Sequence, residues 1–134
     1  SIWDRVAEGQ PYRTPDNAKG ASFTIVHLAP DFITIRTAGK PARNILGSNV
    51  DITRTSFVAA LEYLYTHLHS VDNPCDIASN NTTRLAGPLC VASRTPNGNT
   101  RCINYILPIL SHFNLVGIDG RRTQAHPLNS TWYI

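Results

Sequence analysis

Leu115-Val116-Gly117-Ile118-Asp119-Gly120-Arg121-Arg122 is the stretch on which the reading of the fold turns. Four residues of strand character run into an Asp-Gly turn signal that carries two cations. Upstream, Ile103, Ile106, Leu107, Leu110 and Phe113 recur at helical spacing. Downstream, Thr131-Trp132-Tyr133-Ile134 reads as a second strand that closes the chain.

Helix, strand, basic turn, strand is the order of a winged helix, an arrangement that lays cations along a nucleic-acid backbone. Working back from it, Asn114 ends the helix and Thr100 caps a helix over 101–112. Pro108 lies inside and predicts a kink or split, because it lacks the N–H that the ladder needs. Thr95-Pro96-Asn97-Gly98-Asn99 is a turn cluster. A short helix starts near Pro88, and Pro74 marks the first position of another that runs to about Ser79. Thr53 or Thr55 caps the strongest helix, in which Phe57, Leu61, Leu64 and Leu68 share one face.

The first half reads differently. Ser22 to Leu28 and Phe32 to Thr37 are rich in β-formers and flank Ala29-Pro30-Asp31, which predicts a β-hairpin. Ile33 and Ile35 fall on one face, Thr34 and Arg36 on the other. Val50 and Ile52 suggest a short third strand. Gly9 through Gly20 is broken by prolines and glycines and reads as an irregular arm, with Ile2, Trp3 and Val6 forming one helical turn before it. The expectation is a single α+β domain over 1–134. An irregular arm (1–21) and a β-hairpin region (22–52) pack on helices and a wing (53–134), a winged-helix-like C-terminal half. The lack of Met, even at position 1, suggests excision from a longer protein.

Composition bounds the rest. The 134 residues suffice for one core, and 42% hydrophobic with 16% charged residues is a globular balance. The net charge of +3 favours an anionic partner, and Arg outnumbers Lys ten to two, which suits bidentate contact with phosphate or guanine. No apolar run approaches the ~20 residues that span a bilayer, so no membrane partner is expected. Three widely spaced cysteines, Cys75, Cys90 and Cys102, cannot form a complete disulfide framework and suggest a reducing, cytoplasmic setting.

Catalytic patterns are missing. No CxxC or HExxH pattern occurs, and His67 and His69 on a helix point about 200° apart. Asp31 and Lys40 approximate a nuclease hairpin, but Ala38 stands where a second carboxylate is needed. There is no GxSxG and no Gly-rich phosphate loop. No catalytic residue, metal or cofactor is therefore expected.

The cations remain. Arg84, Arg94 and Arg101 flank the two short C-terminal helices, Arg121 and Arg122 sit at the wing tip, and Lys40 and Arg43 follow the hairpin. In a winged helix the helix before the wing, or its N-terminal end, meets the duplex. Asn97, Asn99, Thr100 and Arg101 occupy such an end, where side chains reach base edges. These ten residues form the candidate nucleic-acid-binding set, with double-stranded DNA as partner. The alternative is a protein-interaction module that uses an apolar patch of Leu28, Phe32 and Trp132.

Element order also carries a resemblance. Phe23-Thr24-Ile25-Val26 with Ile33-Thr34-Ile35, then Ile52-Thr53-Arg54-Thr55-Ser56-Phe57, then Asn104-Tyr105-Ile106-Leu107-Pro108-Ile109-Leu110 before Val116 make residues 22 to 120 similar to small modules appended to prokaryotic restriction-type endonucleases and related defence proteins. The resemblance implies a DNA-targeting role beside the catalytic domain of the parent protein.

Overall fold

Alternation of buried and open positions sets the N-terminal half. In the computed structural model, which describes residues 1–134, β2 (Ser22–Leu28) and β3 (Phe32–Thr37) form the expected hairpin, and β4 (Asn49–Thr53) adds to its far side. Phe23, Ile25, Ile33, Ile35 and Ile52 are buried on one face. Register slips between Ile25 and His27, so Val26 is an extra residue in β2 and both Val26 and His27 face solvent.

The arm is more ordered than its prolines suggest. Ile2–Asp4 makes a 3-10 turn that buries Trp3, whose ring meets Phe57 edge-on at 5.4 Å. Pro11–Arg13 is a strand, β1, that pairs with β2 and gives a sheet order of β1-β2-β3-β4. Pro11 is tolerated because β1 is an edge strand, and Tyr12 stacks on Phe23.

The C-terminal half runs α1 (Arg54–Thr66), β5 (Cys75–Asp76), α2 (Pro88–Arg94), α3 (Ile103–His112), β6 (Val116–Asp119) and β7 (Ser130–Tyr133). The Thr53 hydroxyl accepts from the Ser56 N–H and caps α1. Leu68 does not continue that helix: it takes a left-handed conformation (φ 57°), is exposed, and turns the chain back, with the His69 N–H on the Leu64 carbonyl. Pro74 starts no helix either. The residues after it become β5 because β7 offers an open edge, which gives a second antiparallel sheet of order β5-β7-β6.

Helix α3 begins at Ile103, so Thr100 is not its cap. It runs unbroken through Pro108, which sits off the core-facing stripe of Ile103, Ile106, Leu107, Ile109 and Leu110. These five residues join Leu64, Leu89, Val116 and the first sheet's isoleucines in one continuous core. No helix is long and apolar enough to cross a membrane.

One packing relation decides what α3 can touch. Its outward residues Asn104, Tyr105, Pro108 and Ser111 are half-buried under the chain's own N-terminal part. Phe23 meets Tyr105 at 5.2 Å, Tyr12 meets His112 at 5.6 Å, and Tyr12 to Asn17 run beside Pro108, Ser111 and His112. The expectation that the helix before the wing lays its face on a duplex is therefore corrected: the arm and the first sheet cover that face. The N-terminal end of α3 stays open to two cavities.

Candidate functional site: a cationic double cleft at the start of the third helix

That open end lies between two adjoining cavities. Thr14, Arg101 and Asn104 line both and form the wall between them. The first, about 350 Å³, is completed by Pro15, Asp16 and Lys19 of the arm, by Ile77 and Ser79 after β5, and by Arg122, Leu128 and Asn129 of the β6–β7 connection. The second, about 400 Å³, is bounded by the loop after β3, including Lys40, Ile45, Leu46 and Ser48, and by Tyr105. Four cations, Lys19, Lys40, Arg101 and Arg122, thus face the double cleft against a single carboxylate, Asp16. Concave walls of one dominant sign concentrate anions.

The arm is held in place locally. The Asp16 carboxylate accepts from the N–H groups of Ala18 and Lys19 at 2.8 and 3.1 Å, and Arg122 donates to its other oxygen at 2.6 and 2.9 Å. The Arg122 hydrogen bond, ahead of the backbone donors, holds the Asp16 carboxyl below its usual range. The Asn17 N–H reaches the Gly120 carbonyl at 2.9 Å. Gly120 must be glycine here, since a Cβ would strike the Pro15 carbonyl and the Asn17 amide. Asn129, itself at φ 70°, donates to the Gly120 and Arg121 carbonyls at 2.8 and 3.1 Å and closes the turn from the other side.

The ten residues proposed from sequence separate into groups. Arg94 is corrected: it is buried, and its guanidinium donates to the carbonyls of Asn80, Asn81 and Asn99 at 2.8 to 3.1 Å. It ties two loops to α2 and is buried away from any phosphate. Asn97 is corrected for the same reason. It is 7% exposed, accepts from the Thr53 N–H at 2.9 Å and donates to the Asp51 carbonyl at 3.1 Å, joining β4 to the turn before α3. Both residues sit where backbone groups lack regular partners, and such groups capture side chains.

The wing tip is self-neutralised. Arg121 clasps Asp119 through two hydrogen bonds of 2.8 and 2.9 Å, which lowers the Asp119 carboxyl to about 2, and Arg122 is committed to Asp16. Both pairs are at least partly exposed, where competition from another anion is easy. Neither arginine stands as a free cation. By contrast Arg101 is half-buried and its guanidinium has no partner in the chain, while Lys40 and Arg43 are exposed and unpaired beside the second cavity's loop. Arg84 is exposed in the 3-10 turn Thr83–Leu85, outside the lining of either cavity. Asn99 and Thr100 are exposed just before Arg101, with Asn99 left-handed at φ 59°.

Sequence reasoning missed Lys19, Ser79 and Asn104 as members of the site. The Ser79 Oγ and the Asn104 Oδ1 are buried and have no hydrogen-bond partner in the protein, and both residues line the first cavity. A buried polar group left unpaired costs about 1–3 kcal/mol, so a partner that reached both would be favoured there. A polar residue second in a strongly apolar helix was the one available signal for Asn104.

Leu28, Phe32 and Trp132 form no exposed patch: each is half-buried, with Trp132 on the second sheet and the other two on the first. The open apolar side chains are elsewhere, with Leu68 80% exposed and Tyr65 against Tyr133 at 5.4 Å. His67 and His69 do not diverge as on a helix; α1 ends before them, and their rings lie nearly parallel (19°) 6.4 Å apart beside Tyr63. No three His, Cys, Asp or Glu residues converge as metal ligands. All three cysteines are free and buried, and burial pushes the Cys75 and Cys102 thiols up to about 11. Comparison of the chain with protein-family models, curated proteins and solved structures yields no match.

Proposed function

We propose that this chain is a DNA-targeting module, sequence- or modification-directed, that acts in the cytoplasm beside the catalytic domain of a restriction-type endonuclease. It grips double-stranded DNA by its backbone at the double cleft. The observation that carries this reading is Arg101: a guanidinium without an internal partner, just before the N-terminal end of α3, between two cavities edged by Lys19 and Lys40. Helix-start N–H groups and unpaired cations together favour phosphate. The element order α1-β5-α2-α3-β6-β7, with sheet order β5-β7-β6, supports it further, being the order of a winged helix. Because the first sheet and the arm cover the face of α3, the duplex meets the helix end and not its side. Three buried, unoxidised thiols suit a reducing compartment.

Fluorescence anisotropy with a labelled duplex tests the reading. With about three phosphates engaged, affinity falls roughly 40-fold between 50 and 200 mM salt. A second reading, an assembly module, rests on the exposed Tyr65, Leu68 and Tyr133. No duplex binding at either salt concentration, with self-association that salt does not alter, replaces the first reading with the second.

A further inference from the structure

The first cavity holds more than a phosphate needs. A phosphate asks for donors, and Arg101 and Lys19 supply them from the cavity's lining. Other lining features are of another kind: Asn104 and Ser79, whose amide oxygen and hydroxyl are buried and unpaired, together with the apolar surfaces of Ile77, Leu128 and Pro15. An acceptor and a hydroxyl set against apolar walls suit a flat, polar-edged heterocycle. An Asn side chain presents an amide donor and acceptor together, the pattern that pairs with a nucleobase edge. The volume of about 350 Å³ is at the size of small-ligand pockets.

We propose that this cavity seats a single nucleotide that lacks its Watson–Crick partner. Its base edge meets Asn104 and Ser79, and its phosphate lies at Arg101. The inference rests on the cleft being the nucleic-acid site and adds what part of the nucleic acid enters it. The strand to either side follows the cations: Lys40 and the second cavity lie across Arg101 from the base. Neither polar atom has a partner in the free protein, and the base edge supplies one to each. A paired base cannot enter, because its edge is already engaged and its stack holds it in the duplex.

The experiment uses the full chain and four labelled or competing species at one salt concentration: a fully paired duplex, the same duplex with one extra adenosine bulged out, that duplex with the bulged nucleotide abasic, and free adenosine monophosphate. The bulged duplex is expected to bind at least tenfold more tightly than the paired duplex, the abasic bulge and the mononucleotide. Asn104→Ala and Ser79→Ala erase the difference between adenosine and abasic bulge. Arg101→Ala weakens all three duplexes about equally. Both alanine variants keep or raise the melting temperature, because each removes an unpaired buried group; a fall there assigns these residues to the fold and overturns the inference. Equal affinity for adenosine and abasic bulges, or a preference that survives both variants, also overturns it and leaves backbone binding intact. Mononucleotide binding as tight as the bulged duplex overturns the assignment to a strand. Absence of binding to every duplex removes the DNA reading itself.

Discussion

Arg122 and Asp16 are bonded side chain to side chain at 2.6 and 2.9 Å although 106 residues separate them in sequence. The pair joins the β6–β7 turn to the N-terminal arm and forms one wall of the first cavity. It makes the arm part of the site, and it withdraws one of the two wing-tip cations from free solution.

That pairing has a pH signature. Asp16 has its carboxyl lowered, chiefly by the Arg122 hydrogen bond. A lowered folded-state value means that the contact stabilises above the unfolded value, ~3.9, and is lost as pH falls through the folded value. Amide exchange of residues 14–20 is therefore expected to quicken as pH drops below about 4, after correction for intrinsic rates. Asp16→Asn shows the fast exchange at every pH. Exchange that is slow and pH-independent in both proteins contradicts the clasp.

Arg94→Ala is expected to destabilise the protein by about 3 kcal/mol, since it removes a buried charged donor and strands the carbonyls of Asn80, Asn81 and Asn99. Thermal unfolding reads this as a drop of roughly 10 °C. Below the transition, DNA affinity should be unchanged. A retained melting temperature with lost binding would restore Arg94 to the interface.

The cations should not be equivalent in binding. Arg101→Ala is expected to reduce the slope of log affinity against log salt by about 1, whereas Arg121→Ala changes it less, because Asp119 already neutralises Arg121. Anisotropy titrations at four salt concentrations separate the two, and an equal loss from both variants counts against the cleft.

Gly117→Ala tests the second sheet. A Cβ there would run into the Trp132 ring across the β6–β7 pair. The ring must move or the strands must part, at a cost of about 1–3 kcal/mol. A shifted tryptophan emission together with a lower melting temperature is expected; wild-type values for both would mean that Trp132 does not pack on Gly117.

The hairpin over 22–37, the helix after Thr53 and the helix-then-strand order over 103–119 were legible in the sequence because their information is local, although α3 is not split at Pro108. The alternation at Ile33 and Ile35, the cap at Thr53, the 3–4 spacing through Leu110 and the turn at Asp119-Gly120 each state a backbone preference within a few residues. Pairing of β1 and β5 was not legible, since each strand is very short and exists only because β2 and β7 present an edge. The same holds for the site. Composition and local pattern determined that this is a mixed α+β chain with an excess of guanidinium groups and a helix, strand, turn, strand ending. Only the tertiary structure decided which of those guanidiniums are spent internally, as at Arg94 and Arg122, and which remain open, as at Arg101. The physical reason is that a cation's availability depends on the carbonyls and carboxylates that long-range packing brings within about 3 Å of it, and no stretch of chain encodes that by itself.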